Sequence, residues 1–207
     1  MFYKIIRPIL MLFMLIFYPR KIYGKENIPK KNHVVVCNHF GKIDVFFIGS
    51  MYKGKTYFLA KHELLDKKLH NKVIRSLGGI PVQRDGVDLD CIREGLKVLK
   101  AGYRLAIFPE GRRNFKDDEL QELKPGSAMF AFKAKVPILP VIMEKKAHVF
   151  RKANLLVGKP VYLDEYFGRP YNTELSEELN EKVRVAMLET QADLRAMLKD
   201  KREKKKR

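Results

Sequence analysis

The sequence of 207 residues predicts an α/β fold with a mainly parallel central sheet flanked by helices. Short apolar segments rich in β-branched residues alternate with segments of helical periodicity, as in parallel strands joined by helices. With 46% hydrophobic and 32% charged residues, the chain can form a substantial core, which excludes a wholly disordered protein. The two cysteines, Cys37 and Cys91, are too few for a disulfide framework or a zinc site.

The N-terminal half of the chain is predicted to alternate between strands and helices. Residues 34–37, Val-Val-Val-Cys, are continuously apolar and mostly β-branched, which is typical of a buried strand. A short, mostly apolar helix is predicted at 44–51, and the glycine pair at 78–79 ends a later helical pattern. The remaining elements predicted here are strands at 56–60 and 80–82 and helices at 63–77 and 88–100.

The C-terminal half continues this alternation and ends in a long helix. Apolar residues recur every fourth position from Leu175 to Met187, so a helix is predicted from residue 174 to near the C-terminus. The apolar strand predicted at 136–143 contains two prolines, which favours an edge strand or an irregular strand lining a cleft. The other elements predicted here are strands at 103–108 and 155–163 and a helix at 127–135.

Positive charge is concentrated at the two ends of the chain. The net formal charge is +18, and residues 1–30 and 199–207 each carry a net charge of +5. Both ends should therefore seek polyanions, such as a membrane face, nucleic acid or an acidic carrier. We divide the chain into a membrane-anchoring segment (1–24), a globular domain (25–198) and a basic C-terminal tail (199–207).

An unbroken run of ten apolar residues, Ile9–Tyr18, lies near the N-terminus. As a helix it would be about 15 Å long, half the ~30 Å hydrocarbon core of a bilayer. A longer helix reaching back to Met1 would include the costly charges of Lys4 and Arg7. A cleavable signal peptide, a full membrane span and a buried core helix are alternatives. Basic residues on both flanks favour an interfacial anchor that enters one leaflet, because they attract anionic headgroups.

The first candidate site is residues 38–44, Asn-His-Phe-Gly-Lys-Ile-Asp, directly after a predicted buried strand. On one continuous helix, His39 and Asp44 would point about 140° apart and could not meet. If His39 lies in a loop and Asp44 opens the next helix, the flexible backbone at Gly41 lets the imidazole reach the carboxylate. Such a pair fixes the imidazole tautomer and makes a general base. The alternative is a helix N-cap aspartate beside an ordinary surface histidine.

Two further candidate sites follow other predicted strands. Residues 108–114, Phe-Pro-Glu-Gly-Arg-Arg-Asn, combine a glycine that lets backbone approach a ligand with two arginines that suit an anion. Arg84 lies just past the strand at 80–82, where its planar guanidinium could bind a phosphate. The alternatives are a charged surface turn at 108–114 and a solvated arginine at position 84.

The sequence contains no evident catalytic nucleophile. Its serines lack a Gly-x-Ser-x-Gly frame, and Cys37 ends a predicted buried strand, where core packing is its expected role. P-loop, dinucleotide-binding and metal-ligating histidine patterns are also missing. The sequence therefore predicts neither a metal nor a cofactor. The histidines expected to be structural or surface residues are His33, His62, His70 and His148.

Taken together and in this order, these segments resemble the 1-acylglycerol-3-phosphate acyltransferase family. The family pattern is Asn-His-x4-Asp, a glycine shortly followed by an arginine, Phe-Pro-Glu-Gly, and an apolar Val-Pro-x-x-Pro strand. The chain departs from it where Thr-Arg-Ser usually follows Phe-Pro-Glu-Gly, because it has Arg-Arg-Asn, in which Arg113 still matches. The resemblance covers roughly residues 25–165. The four segments here are 38–44, 79–84, 108–111 and 136–141.

The resemblance implies direct acyl transfer from acyl-CoA or acyl carrier protein to the sn-2 hydroxyl of a lysophospholipid, without a cofactor. It implies that His39 is the general base and that Asp44 orients it. A lipid acceptor agrees with the anchor segment, and an anionic donor agrees with the cationic chain. Both favour a peripheral or monotopic protein on the cytoplasmic face of the cell membrane, in contact with anionic lipid. The residues implied to position the glycerol phosphate, or to assist there, are Arg84, Glu110, Gly111, Arg113, Lys61 and Lys124.

Two other functions stay open at this point. A related acyltransferase could use the same chemistry on glycerol 3-phosphate or on another lyso-lipid. A non-catalytic membrane- or nucleic-acid-binding protein would explain the net charge alone. No RNA- or DNA-binding motif is visible, however, and this function leaves both strand-end motifs unexplained, so nucleic acid is not an expected partner.

Overall fold

A computed structural model describes residues 2–83, 86–115 and 119–205. Strands and helices alternate along most of this part of the chain, as the sequence predicts. The helices are α1 (Phe2–Phe17), α2 (Asp44–Ser50), α3 (Lys68–Ser76), α4 (Leu89–Lys100), α5 (Gly126–Ala134) and α6 (Thr173–Lys204). The strands are β1 (Arg20–Tyr23), β2 (Val34–Cys37), β3 (Thr56–Lys61), β4 (Gly79–Val82), β5 (Arg104–Ile107), β6 (Ile138–Met143) and β7 (Ala153–Val157).

The strands form one seven-stranded sheet in the order β1-β7-β6-β2-β5-β3-β4. The five strands from β6 to β4 are mutually parallel, so their C-terminal ends meet at one edge, here called the carboxyl edge. β7 runs antiparallel to β6, and β1 runs parallel to β7. The prediction of a mainly parallel α/β sheet is confirmed. Sites in such folds lie at the carboxyl edge, where β2 and β5 end side by side.

The helices cover both faces of the sheet and divide the core in two. Val34 and Val36 of β2 point to the face covered by α4, α5 and α6, whereas Val35 points to the face covered by α1 and α2. All three valines are fully buried, which explains why β2 reads as a continuous apolar run instead of an alternating one. β2 is therefore a rigid central support for the residues that follow it.

Two predicted elements are shorter than expected. The helix predicted at 63–77 is divided into a 3-10 helix, His62–Leu65, and α3. The strand predicted at 155–163 ends at Val157, because Gly158, Lys159 and Pro160 follow and a proline cannot donate to a ladder. Beyond it, Val161 makes one isolated bridge to Ile138.

The prediction that residues 136–143 form an edge strand is wrong. β6 pairs on both sides, with β2 and β7, and all its residues are buried. Pro140 is tolerated because the ladder with β7 begins only at Val141, so its missing N–H removes no ladder hydrogen bond.

The predicted segment boundaries also need correction. Residues 20–23, assigned to the anchor segment, form β1 and pair with β7, so the sheet begins before residue 25. Residues 199–204, assigned to a basic tail, continue α6, which runs unbroken to Lys204. The helical period of the apolar residues simply ends earlier than the helix, because the last turns are solvated and basic.

The helix α1 lies on the sheet face that α2 also covers. Its Met14 is fully buried, but Ile5, Ile9, Leu12 and Ile16 form an exposed apolar stripe. The helix therefore combines features of a core helix and of an interfacial one. Among residues 2–83, 86–115 and 119–205, no helix has both the length and the apolar character needed to cross a bilayer.

Candidate active site

The candidate site is built where three adjacent parallel strands end at the carboxyl edge. β2 leads into His39, β5 leads into Glu110, and β3 ends with Lys61. The sheet order therefore places the two strand-end motifs beside each other, although they are 71 residues apart along the chain. Arg84, the predicted phosphate ligand after β4, lies outside the described residues.

The structure brings His39 and Asp44 together. The Nδ1 atom of His39 is 2.8 Å from Oδ2 of Asp44. A carboxylate oxygen accepts, so Nδ1 carries the proton that it donates, and Nε2 is the unprotonated nitrogen of the neutral ring. Asp44 is fully buried, whereas 20% of the His39 side chain is exposed. The imidazole thus has one ring nitrogen bonded to a buried anion and remains accessible from outside.

Asp44 also shapes the loop that carries His39. Its Oδ2 accepts hydrogen bonds from the main-chain N–H groups of Phe40 (2.6 Å) and Gly41 (2.7 Å). The N-cap of α2 is Ile43, so Asp44 is the first helical residue and does not act as the ordinary N-cap of the alternative interpretation. The loop folds back over the start of α2, as the spacing required.

Glu110 holds the same loop from the opposite side. It is almost fully buried, and its Oε1 accepts the main-chain N–H of His39 at 2.8 Å. Its Oε2 accepts the N–H of Gln121 at 3.4 Å. Burial raises the pKa of Glu110, and the two N–H groups partly oppose that shift. The carboxylate of Glu110 therefore binds the main chain of His39. Glu110 would affect a bound phosphate only indirectly, through the turn that it stabilises.

Two asparagines complete the support of the His39 loop. The side-chain amide of Asn38 donates to the carbonyl of Met143 (3.0 Å) and accepts the N–H of the same residue (2.8 Å), which ties the end of β2 to the end of β6. The main-chain N–H of Asn114 donates to the carbonyl of His39 at 2.6 Å. Both asparagines lie within recognised motifs, but their partners depend on strand order, so sequence reasoning assigned them no role.

Phe108 packs directly on the imidazole. Its ring and that of His39 are nearly parallel, with centroids 4.1 Å apart. This contact restricts rotation of the His39 side chain and leaves its Nδ1–Asp44 bond in place. Phe108 was missed as a functional residue because its apolar ring reads as the end of strand β5.

The predicted cationic residues lie on the β5 side of His39. Arg113 is exposed, with its guanidinium carbon 5.1 Å from the ring centroid of Phe115, and it directly precedes Asn114, which contacts the His39 main chain. Lys61, at the end of β3, is exposed and pairs with Glu63 at 2.5 Å. Arg113, Lys61 and the exposed Lys124 together are called the cationic rim here, in contrast to the buried loop.

Gly111 lets the side chain of Lys124 lie across the turn after Glu110. The glycine has φ +66°, and a Cβ there would approach Cε of Lys124 to 2.9 Å. The main-chain N–H of Lys124 donates to the carbonyl of Pro109 at 2.7 Å. The turn therefore needs glycine both for its left-handed conformation and for this close approach. Within the described ranges, no cluster of three or more His, Cys, Asp or Glu residues could hold a metal ion.

Comparison with known proteins connects this geometry to a family. Residues 19–144 match the family model described as Acyltransferase. A protein of Bacillus subtilis (strain 168) named 1-acyl-sn-glycerol-3-phosphate acyltransferase is 28% identical over 174 residues, which cover 79% of this chain and 86% of that protein. A protein of the same name from Borreliella burgdorferi is 34% identical over 147 residues, 69% of this chain and 58% of the relative.

The fold is also similar to a solved structure. The crystal structure of the 1-acyl-sn-glycerophosphate (LPA) acyltransferase from Thermotoga maritima matches with a TM-score of 0.66 and 30% sequence identity. The match covers 90% of this chain and 78% of that chain.

Proposed function

Because the chain belongs to the acyltransferase family, we propose that it transfers a fatty acyl group from an acyl thioester to the sn-2 hydroxyl of 1-acylglycerol 3-phosphate. The product is phosphatidic acid, a precursor of phospholipids. The observation that carries the proposal is the His39–Asp44 pair at the carboxyl edge, held by a buried network. The names of the relatives supply the acceptor.

The first chemical step is removal of the acceptor proton. Nδ1 of His39 is engaged with Asp44, so Nε2 is the nitrogen that takes the proton from the sn-2 hydroxyl. The buried carboxylate of Asp44 stabilises the imidazolium that forms, because an ion pair in a site shielded from water is strong. The acceptor oxygen becomes nucleophilic as it approaches the thioester carbonyl carbon.

The second step breaks the thioester. Attack gives a tetrahedral oxyanion, and its collapse expels the donor thiolate while the new ester C–O bond stays. The His39 imidazolium returns its proton to the leaving sulfur, so the histidine is neutral at the end of each cycle. The proton therefore moves from the acceptor hydroxyl to the released thiol, and no acyl-enzyme is needed.

The cationic rim provides the phosphate site in this proposal. Arg113 and Lys124 lie beside the Glu110–Gly111 turn, and Lys61 ends the strand next to β5. A phosphate monoester on this side would leave the glycerol backbone to extend toward His39. Arg84, which lies outside the described residues, stays a predicted phosphate ligand.

Membrane association is a second part of the proposal. The exposed stripe on α1 would lie in the cytoplasmic leaflet as a peripheral or monotopic contact, with its apolar side chains among acyl chains. Lys21 and Lys25, exposed just beyond the C-terminal end of the helix, would face anionic headgroups. A lyso-lipid could then reach the carboxyl edge without leaving the membrane surface.

An acceptor panel tests the proposal. Purified protein is given acyl-CoA or acyl carrier protein thioester, and thiol release is measured with lysophosphatidic acid, glycerol 3-phosphate, lysophosphatidylcholine or no acceptor. We expect thiol release that depends on lysophosphatidic acid and equals the phosphatidic acid formed. Faster turnover with glycerol 3-phosphate would replace the proposed acceptor, and no acceptor-dependent release with either donor would overturn the function.

A further inference from the structure

The loop between β6 and β7, residues 144–152, exposes an apolar tip at the carboxyl edge. Phe150 has 67% of its surface exposed and Val149 has 48%. The loop follows Met143, the residue that Asn38 binds, so it lies on the same edge as His39 and on the side opposite to the cationic rim. Adjacent exposed aromatic and valine side chains indicate a surface that a partner covers.

The tip is fixed in this outward position. The N–H of Phe150 donates to the carbonyl of Phe17, the last residue of α1, at 2.7 Å. Phe150 has φ +59°, a left-handed conformation that is unfavourable for an aromatic residue. The loop thus combines an unfavourable backbone conformation with an exposed aromatic ring at the end of α1.

The tip is continuous with the apolar stripe of α1. The ring centroid of Phe150 is 5.4 Å from that of Phe17, which is 4.6 Å from that of Phe13. Phe13 is itself exposed, next to Leu12 and Ile16 on the outer side of the helix. One apolar surface therefore runs from the middle of α1, through two phenylalanine rings, to the loop.

Positive charge surrounds this surface. The loop carries four exposed cations, and its acidic residue Glu144 is already paired with Arg202 at 2.8 Å. That pair brings the basic end of α6 next to the base of the loop. An apolar tip flanked by exposed cations fits a surface with an apolar interior and anionic headgroups. The four loop cations are Lys145, Lys146, Arg151 and Lys152.

We propose that the β6–β7 loop is a second membrane-docking element, which inserts Val149 and Phe150 into the same anionic leaflet as α1. This inference rests on the membrane association proposed above, and it assigns the loop a function that the catalytic steps do not require. The two contacts, α1 and the loop, would fix the orientation of the carboxyl edge relative to the bilayer. A membrane lipid would then approach His39 from the β6 side, and the cationic rim would lie on the β5 side of His39.

Fluorescence tests the insertion directly, because the chain contains no tryptophan. The full-length Phe150→Trp variant is mixed with phosphatidylglycerol vesicles that contain bromine-labelled acyl chains. We expect a blue shift of the emission and strong quenching by the bromine atoms. The matched control is Tyr162→Trp, whose position has 58% exposure and lies beyond the end of β7, at the opposite edge of the sheet. It should show neither change.

A binding assay gives the second readout. The variant Val149→Ser/Phe150→Ser should bind phosphatidylglycerol vesicles roughly tenfold more weakly than the wild type, since burial of a large apolar side chain is lost. The control Tyr162→Ser/Val185→Ser removes an aromatic residue and a valine far from the loop and should bind normally. Both variants should keep wild-type thiol release with a short-chain, water-soluble acceptor.

The outcomes separate this inference from the proposed function. Unchanged tryptophan emission together with unchanged vesicle binding would overturn it, and so would equal weakening by both double variants. Neither vesicle readout requires turnover, so a failed thiol-release assay would refute the acyl transfer and leave the docking result standing.

Discussion

Two histidines flank the same strand, and their surroundings differ in every respect that matters for proton transfer. His33 precedes β2 at its amino end, whereas His39 follows β2 at the carboxyl edge. His33 is fully buried: its Nδ1 donates to the carbonyl of Lys31 (2.7 Å), and its Nε2 accepts from the hydroxyl of Tyr52 (2.8 Å). His39 binds a carboxylate through Nδ1 and remains partly exposed.

The difference shows how one residue type acquires two roles. Burial, with a smaller contribution from the nearby Arg104, lowers the pKa of His33 to about 4, although the hydrogen bond to Lys31 opposes the shift. His33 therefore stays neutral near neutral pH and serves the fold. His39 has a buried anion to stabilise its charged form and an open side for a substrate. Both histidines adjoin the same apolar strand. Their different roles therefore follow from their surroundings and not from the strand.

Among substitutions that leave His39 in place, the largest effect should come from removing the anion beside it. Asp44→Asn keeps the size of the side chain but loses the charge that stabilises the imidazolium, so kcat should fall about 10²–10⁴-fold. Steady-state thiol release measures kcat, and thermal unfolding checks the fold.

The matched control for Asp44 is Asp90→Asn, an exposed aspartate on α4 that should leave kcat unchanged. A wild-type kcat in folded Asp44→Asn would remove the distinction between His39 and His33 on which the mechanism rests.

The next largest effect concerns the exposed cations near His39, which are proposed to bind the phosphate of the acceptor. Arg113→Gln should raise the KM for the acceptor roughly tenfold or more, because a charge-assisted contact typically contributes about 1.5–3 kcal/mol. The KM for the acyl donor should change little. Arg93→Gln, on the exposed surface of α4, is the control. Equal changes in both KM values would assign Arg113 to the donor or to the fold.

A pH effect of about 2 kcal/mol should distinguish His33 as a structural residue. Its folded pKa lies below the ordinary value of 6.5, so the native state binds fewer protons than the unfolded state in this range. This contribution to stability is complete above pH 6.5 and is lost as the pH falls toward 4. Between pH 8 and pH 5 the loss amounts to roughly 2 kcal/mol.

Urea unfolding of the wild type and of His33→Gln at both pH values measures that contribution. The variant should be less stable at pH 8 but should lose less further stability on acidification. The same pH dependence in both proteins would show that His33 does not titrate as its burial requires.

The smallest effect should come from the partner of His33. Tyr52→Phe keeps the ring that the guanidinium of Arg104 contacts but leaves Nε2 of His33 without its donor. The free energy of unfolding should decrease by about 1 kcal/mol, with kcat unchanged. A reduced kcat in a stable Tyr52→Phe protein would mean that the amino end of β2 also affects the chemistry.

Sequence reasoning reached the local part of this site. The meeting of His39 and Asp44 could be anticipated because both residues belong to one loop and helix start, where spacing restricts the geometry. The strands β2 and β5 could be recognised because continuous apolar runs are characteristic of buried parallel strands. Their catalytic interpretation also used the family resemblance.

The rest of the site depends on which strands become neighbours. The hydrogen bonds from His39 to Glu110 and between Asn38 and Met143 span 71 and 105 residues, and no local pattern specifies them. Glu110 looked like part of a charged turn, yet its carboxylate points inward to a main-chain N–H. Pro140 similarly suggested an edge strand, but whether a proline costs a hydrogen bond depends on where the partner strand begins.

The role of His39 as general base is tested most directly by the turnover of purified His39→Ala with an acyl thioester and lysophosphatidic acid. We expect kcat to fall about 10²–10⁴-fold, while the circular dichroism spectrum and the unfolding temperature stay close to those of the wild type. The His33→Gln protein, measured in parallel, should be less stable but retain its kcat. Wild-type turnover by a folded His39→Ala protein would contradict the assignment of His39 as the general base.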